Sequence, residues 1–138
     1  MKRIFSLFLI LSALIAFSCS DDATGPTTGG IGGGGGNTGG VTFTIGQTQG
    51  SQQGSTMFTL KPSVDVTITT ITAKLPAQQF EDVLTNPNPD VVVSSQNTYE
   101  LEEYTGVQPG QQWQFVFVGK LGSSTGTAYT VTTNYTVQ

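Results

Sequence analysis

Histidine is absent from the chain, and cysteine occurs once, at Cys19. The first absence excludes a Ser-His-Asp constellation, an imidazole general base and any histidine-held metal. The second excludes a disulfide within the chain and a zinc site built from several thiolates. Charge is also scarce, at 10% of residues, and Arg3 is the only arginine. From residue 19 onward three lysines, Lys61, Lys74 and Lys120, stand against nine acids, a net charge of 3 − 9 = −6. Such a surface repels phosphate backbones, so no nucleic-acid partner is expected. Carboxylates and hydroxyls are the only side chains left for catalysis.

The N-terminus has a clear pattern. Lys2 and Arg3 precede an apolar run from Ile4 to Phe17, followed by Ser18 and Cys19. A basic start, a greasy middle and small residues before the cut describe a secretory signal peptide. The run has fourteen residues, short of the roughly 17–25 that a spanning helix needs, which weighs against an uncleaved anchor.

Ala16-Phe17-Ser18-Cys19 resembles the lipobox of bacterial lipoproteins, although Ala16 and bulky Phe17 depart from its commonest form. The resemblance implies cleavage before Cys19, lipidation of that residue and membrane attachment through its acyl chains. One acyl chain holds a protein only marginally and several hold it stably. The alternative is a cut by the general signal peptidase, which leaves Cys19 as a lone thiol in an oxidising compartment. Ser20-Asp21-Asp22 resembles the surface-export signal of Bacteroidota lipoproteins, and the plainer alternative is an acidic start to a linker. The expected location is the outer membrane of a bacterial envelope, facing the cell surface.

Three regions follow: a signal peptide at 1–18, a lipidated cysteine with linker at 19–40, and a domain at 41–138. Ten of the eighteen glycines lie between residues 23 and 40, where Ile31 is the one large apolar side chain. Glycine loses the most entropy on ordering and buries nothing, so this stretch reads as a flexible tether. Its r.m.s. reach from Cys19 is roughly 25 Å. A phosphate-cradling loop is excluded, because no strand precedes it and no Lys-Ser/Thr pair or helix follows.

From Val41 the composition turns to Thr, Val, Phe and Tyr, which fit a pleated surface. Alternation predicts strands at 41–45, 55–60 and 64–75, with a loop at 46–54. Val64, Val66 and Ile68 share one parity while Ile71, Ala73 and Leu75 share the other. The flip at Thr69-Thr70 predicts a β-bulge or a change of sheet. Phe80, Val83 and Leu84 have helical spacing, so 78–84 reads as a helical turn. Asn86 to Asp90, with two prolines, reads as a loop. Further strands are expected at 91–94, 98–104, 111–121 and 127–137, the last two forming a hairpin at the centre of a sheet.

Seven short strands in about 98 residues predict an all-β fold, an immunoglobulin-like antiparallel β-sandwich. The last third resembles Ig-like and fibronectin-type modules at the level of architecture, without their cysteine pair. An open β-barrel is the alternative.

Three groups merit testing as sites. Glu100, Glu102 and Glu103 crowd one predicted strand and invite a two-carboxylate glycosidase reading. Their alternation with Tyr99 and Leu101 is what a solvated strand face requires. Asp90, Glu102 and Glu103 offer hard oxygens to calcium, but no loop carries aspartates at alternating positions. Trp113 resembles a sugar-stacking platform, yet its period-two companions Phe115 and Phe117 argue for core. The expectation is therefore no enzyme, no cofactor and no metal. It is a binding or adhesion module for an unidentified protein or glycan, contacting it through the 47–55 and 85–90 loops. The alternative is an accessory subunit of an envelope assembly that pairs through an exposed strand edge, at Val91–Val93 or the Val41 strand.

Overall fold

The structure, a computed structural model, describes residues 40–138. The signal peptide, lipobox, Cys19, acidic run and glycine tether lie outside the described residues. Eight strands follow in order: β1 (Phe43–Gln49), β2 (Ser55–Pro62), β3 (Val66–Leu75), β4 (Phe80–Thr85), β5 (Val92–Val93), β6 (Tyr99–Thr105), β7 (Gln112–Leu121) and β8 (Ala128–Thr136). One sheet has the order β1-β2-β6. The other has the order β4-β3-β7-β8, with β5 added to β3. All pairings are antiparallel. The protein is an immunoglobulin-like β-sandwich, with eight strands instead of seven. Among the described residues no helix is long and apolar enough to cross a membrane.

The core is what alternation selects. Phe43, Ile45, Phe58 and Leu60 from the first sheet meet Val66, Ile68, Ala73, Leu75, Trp113, Phe115, Phe117, Tyr129 and Val131 from the second. Trp113 is only 4% exposed, so its indole belongs to the core and not to an open platform. Phe43 stacks on Phe117 with ring centroids 4.0 Å apart, and Phe58 sits 4.9 Å from Trp113 and 5.2 Å from Phe115. Aromatic rings thus bridge the two sheets, in stacked, tilted and edge-to-face pairs.

The parity flip in β3 is a bulge. Ile68 pairs with Gly119 and Thr70 with Val118, leaving Thr69 as the extra residue. Its hydroxyl donates to the Val118 carbonyl at 2.9 Å, so the interruption is satisfied locally. A second bulge lies in β6, where Met57 opposes Glu103 and Thr59 opposes Glu100. Tyr99 and Leu101 therefore face inward at spacing two, and Tyr104 faces inward three residues later.

Three expectations are corrected. Residues 78–84 are not a helical turn. Pro76–Gln78 form one turn of 3-10 helix and Gln79 adopts a left-handed conformation at φ 52°. That break starts edge strand β4, in which Phe80, Asp82 and Leu84 point inward against Leu75, Ala73 and Ile71. Val83, which shares a helical face with Phe80 in the sequence, is 55% exposed. A short apolar run fits either period, and pairing with β3 decides it. The closing hairpin is not central as a unit: β7 lies between β3 and β8, while β8 pairs only with β7 among the described residues. The loop expected at 46–54 also shortens to 50–54, because β1 continues through Gly46 opposite Thr59.

Candidate binding surface

The register sorts the loops into two ends. Val41, the 63–65 turn, the 86–91 loop, the 94–98 turn and the 122–127 turn lie at the end where the chain enters. The 50–54 loop, the Pro76–Gln78 turn and the 106–111 loop lie at the far end with Gln138. Ten residues of β7 separate the ends, about 33 Å of strand. The two loops expected to contact a partner, 47–55 and 85–90, sit at opposite ends and do not form one surface.

The far end has an unusual composition. Its loops contain no Asp, Glu, Lys or Arg, and of the chain's twelve glutamines only Gln96 lies at the entry end. On the outer side of the five-stranded sheet this end holds a shallow groove of about 260 Å³. Pro76, Gln112, Trp113, Gln114, Asn134, Tyr135 and Thr136 line it. Alternation places it: Trp113 and Tyr135 turn inward, so Gln112, Gln114, Asn134 and Thr136 turn out. Gln114 Nε2 donates to Asn134 Oδ1 at 3.2 Å. The Trp113 indole N–H donates to Gln111 Oε1, also at 3.2 Å.

Glu103 orders the adjoining loop. Its carboxylate accepts from the Ser51 hydroxyl at 2.7 Å, the Gln52 amide at 3.0 Å and the Ser55 hydroxyl at 2.5 Å. The Ser55 and Ser51 hydroxyls, with backbone help, pull its pKa down to about 2. Charged acceptors of this kind favour the ionised form and fix the donors around them. This role was hidden in the sequence, because the partners lie 48 to 52 residues apart.

Two side-chain clasps join the sheets. On one side the Tyr104 hydroxyl donates to Asp82 Oδ2 at 3.2 Å, linking β6 to β4. Burial, and then the charge and hydrogen bond of Asp82, push the Tyr104 pKa up. On the other side Gln47 of β1 reaches the end of β8. Its Oε1 accepts from Tyr135 at 3.1 Å and from the Gln138 amide at 3.3 Å, and its Nε2 donates to the Gln138 carbonyl at 3.2 Å.

The carboxylates singled out for catalysis or calcium do not assemble. Glu100 and Glu102 are exposed on β6, Glu103 is committed to the 50–54 loop, and Asp90 lies at the entry end. Among the described residues no group of three or more His, Cys, Asp or Glu side chains stands where it could hold a metal. Asp65 is engaged as well: Oδ1 accepts from the Ser95 amide at 2.7 Å and its hydroxyl at 2.9 Å, which lowers its pKa. Compared with protein-family models, curated proteins and solved structures, the chain matches none.

Proposed function

We propose that this protein is a lipid-anchored binding module of a bacterial cell envelope, non-catalytic and facing outward. In this reading Cys19 carries the acyl chains, the glycine-rich segment is a stalk, and the sandwich presents its far end to a partner. The observation that carries it is the polarity of the domain. The chain enters at one end, while the glutamine-rich loops and the groove lie at the other, where the charged side chains are tied up within the domain: Glu103 by the 50–54 loop, Asp82 by Tyr104 and Lys74 by Glu81. Hydrogen bonds from three donors to Glu103 hold one of those loops in place, which lowers the entropy cost of binding.

Protease treatment of intact cells tests the reading, with a soluble periplasmic protein as control. The expected result is loss of the domain while the control survives. Protection until the outer membrane is opened would refute outward presentation. In parallel, Cys19→Ala should abolish incorporation of labelled palmitate.

A second reading, an accessory subunit that pairs by strand addition, is favoured by the open edge of β8. This strand has nine residues, none charged and none proline. The Thr127 and Val137 carbonyls accept from Leu121 and Gly110 of the β7 side. Alternation then turns the Thr132 N–H toward the open edge. Thr132→Pro deletes that donor without touching the β7 ladder, where an edge tolerates proline. Partner co-purification that survives this substitution would sink the strand-addition reading.

A further inference from the structure

We infer that the far-end groove is a binding site for a neutral polysaccharide, held chiefly by Gln114 and Asn134 with Gln112 beside them. The inference rests on the reading of the domain as a binding module and names its ligand class.

The register aligns one row of side chains across four strands. Glu81 pairs with Lys74, Lys74 with Gln114, and Gln114 with Asn134. At a strand spacing of about 4.8 Å this row spans roughly 14 Å. Its charged end is neutralised internally, with Lys74 Nζ 2.9 Å from Glu81 Oε2. Its other end is a pair of amides sharing one hydrogen bond.

That bond uses one N–H of Gln114 and one lone pair of Asn134 Oδ1. Among the described residues the Gln114 carbonyl oxygen, its second N–H and both N–H groups of Asn134 make no other protein hydrogen bond. A primary amide offers donors and acceptors together in one plane. Sugar hydroxyls are likewise donors and acceptors, so vicinal hydroxyls match this array without any charge. Gln112 and the Thr136 hydroxyl extend it along the two strands, and exposed Pro76 with the half-buried edge of Tyr135 supplies apolar surface for ring C–H groups.

Charge narrows the ligand further. The groove residues carry no charge, so an anionic polymer finds no cation there except Lys74, which is already paired. The acidic balance of the chain repels such polymers at longer range. An extended peptide would instead be recognised by the β8 edge, not by an amide pair on the sheet face.

The single tryptophan is a built-in reporter, because Trp113 lines the groove and the chain has no other. Full-length protein in detergent is titrated with laminarihexaose, xylohexaose and mannohexaose, and with polygalacturonate as the anionic probe. Trp113 fluorescence and its one indole N–H resonance are followed. At least one neutral oligosaccharide should shift both signals saturably, and polygalacturonate should not. Gln114→Ala and Asn134→Ala should each weaken binding by about tenfold. Glu100→Gln, on the other sheet, should leave it unchanged.

The inference is overturned if no neutral probe shifts either signal up to about 10 mM. It is overturned equally if both amide variants bind as the wild type does, or if only polygalacturonate produces a shift. A failed titration beside successful surface shaving removes the ligand class and leaves the binding module standing. Protection from shaving removes the module itself.

Discussion

Phe58→Ala should be among the most damaging single substitutions in the domain. Phe58 is fully buried on β2, the middle strand of the smaller sheet. Its ring lies 4.9 Å from Trp113, 5.2 Å from Phe115 and 6.0 Å from both Tyr104 and Tyr135. Truncation removes the ring from water-free surroundings and leaves a cavity that four other rings, fixed on the three strands β6, β7 and β8, cannot readily fill. Buried Phe→Ala changes cost about 3–5 kcal/mol, a large share of the roughly 5–15 kcal/mol available to a whole domain. At about 4–8 °C per kcal/mol for a domain of this size, Tm should fall by at least about 12 °C. The assay is urea unfolding followed by Trp113 fluorescence, with thermal melting beside it. The urea midpoint should drop while the slope m stays constant, which marks lost stability and not a changed denatured state. Phe58→Leu, which keeps most of the volume, should fall between wild type and alanine. Val83→Ala, at a 55% exposed position, should stay within about 0.5 kcal/mol. A Phe58→Ala loss below about 1 kcal/mol would refute the argument, because it would mean the rings do not converge on Phe58.

Two further substitutions test the close approaches and the charge tie. Gly119 sits in mid-strand where an added Cβ would collide with the Thr67 carbonyl and the Tyr129 hydroxyl, which themselves hydrogen-bond at 3.1 Å. Gly119→Ala should therefore cost about 1–3 kcal/mol in chemical denaturation, and a neutral result would show that the bulged β3–β7 pair yields easily. Glu103, with a folded pKa of about 2 against an ordinary 4.5, contributes stability that is complete above the ordinary value and disappears as pH falls through about 2. Melting curves across that window should show a steeper acid loss in the wild type than in Glu103→Gln. Identical slopes would refute the tie.

Much of the fold was legible because a strand writes its burial at period two. The core positions Phe115, Phe117, Tyr129 and Val131 could be read directly, and the bulge at Thr69 showed as a change of parity. β4 could not be read so, because Phe80, Val83 and Leu84 also satisfy a helical period, and only β3 beside it selects the strand. The edge position of β8 was equally hidden, since alternation states which face is buried but not which neighbour is missing. The binding surface was the least legible part. Gln52, Gln78, Gln108, Gln114 and Asn134 are scattered over 83 positions, and only the strand order gathers them at one end. Glu103 looked like a solvated strand residue because its donors come from a loop about fifty residues earlier.

The treatment of the strand edges bears on how such a domain stays soluble while keeping a surface open. A sandwich has four outer edges, and each is a template for unwanted pairing. β6 carries three glutamates, and β4 turns Asp82 inward toward Tyr104 while exposing Glu81. Both devices penalise a stranger strand, by charge in one case and by a buried carboxylate in the other. β1 and β8 carry no charge at all. On their side of the sandwich the end of β8 is covered by Gln47, whose amide occupies Gln138 and Tyr135. Among the described residues the stretch from Ala128 to Thr133 has no such side-chain cover. It is too short to support a stable interface by backbone hydrogen bonds alone, each worth about 1 kcal/mol net. It is long enough to reinforce contact with a partner already held elsewhere. Binding at the groove and pairing at the β8 edge share the same strand, since Asn134 and Thr136 line the groove while Thr132 faces the edge. A ligand seated in the groove would therefore stiffen β8, so occupancy of one surface should raise the affinity of the other.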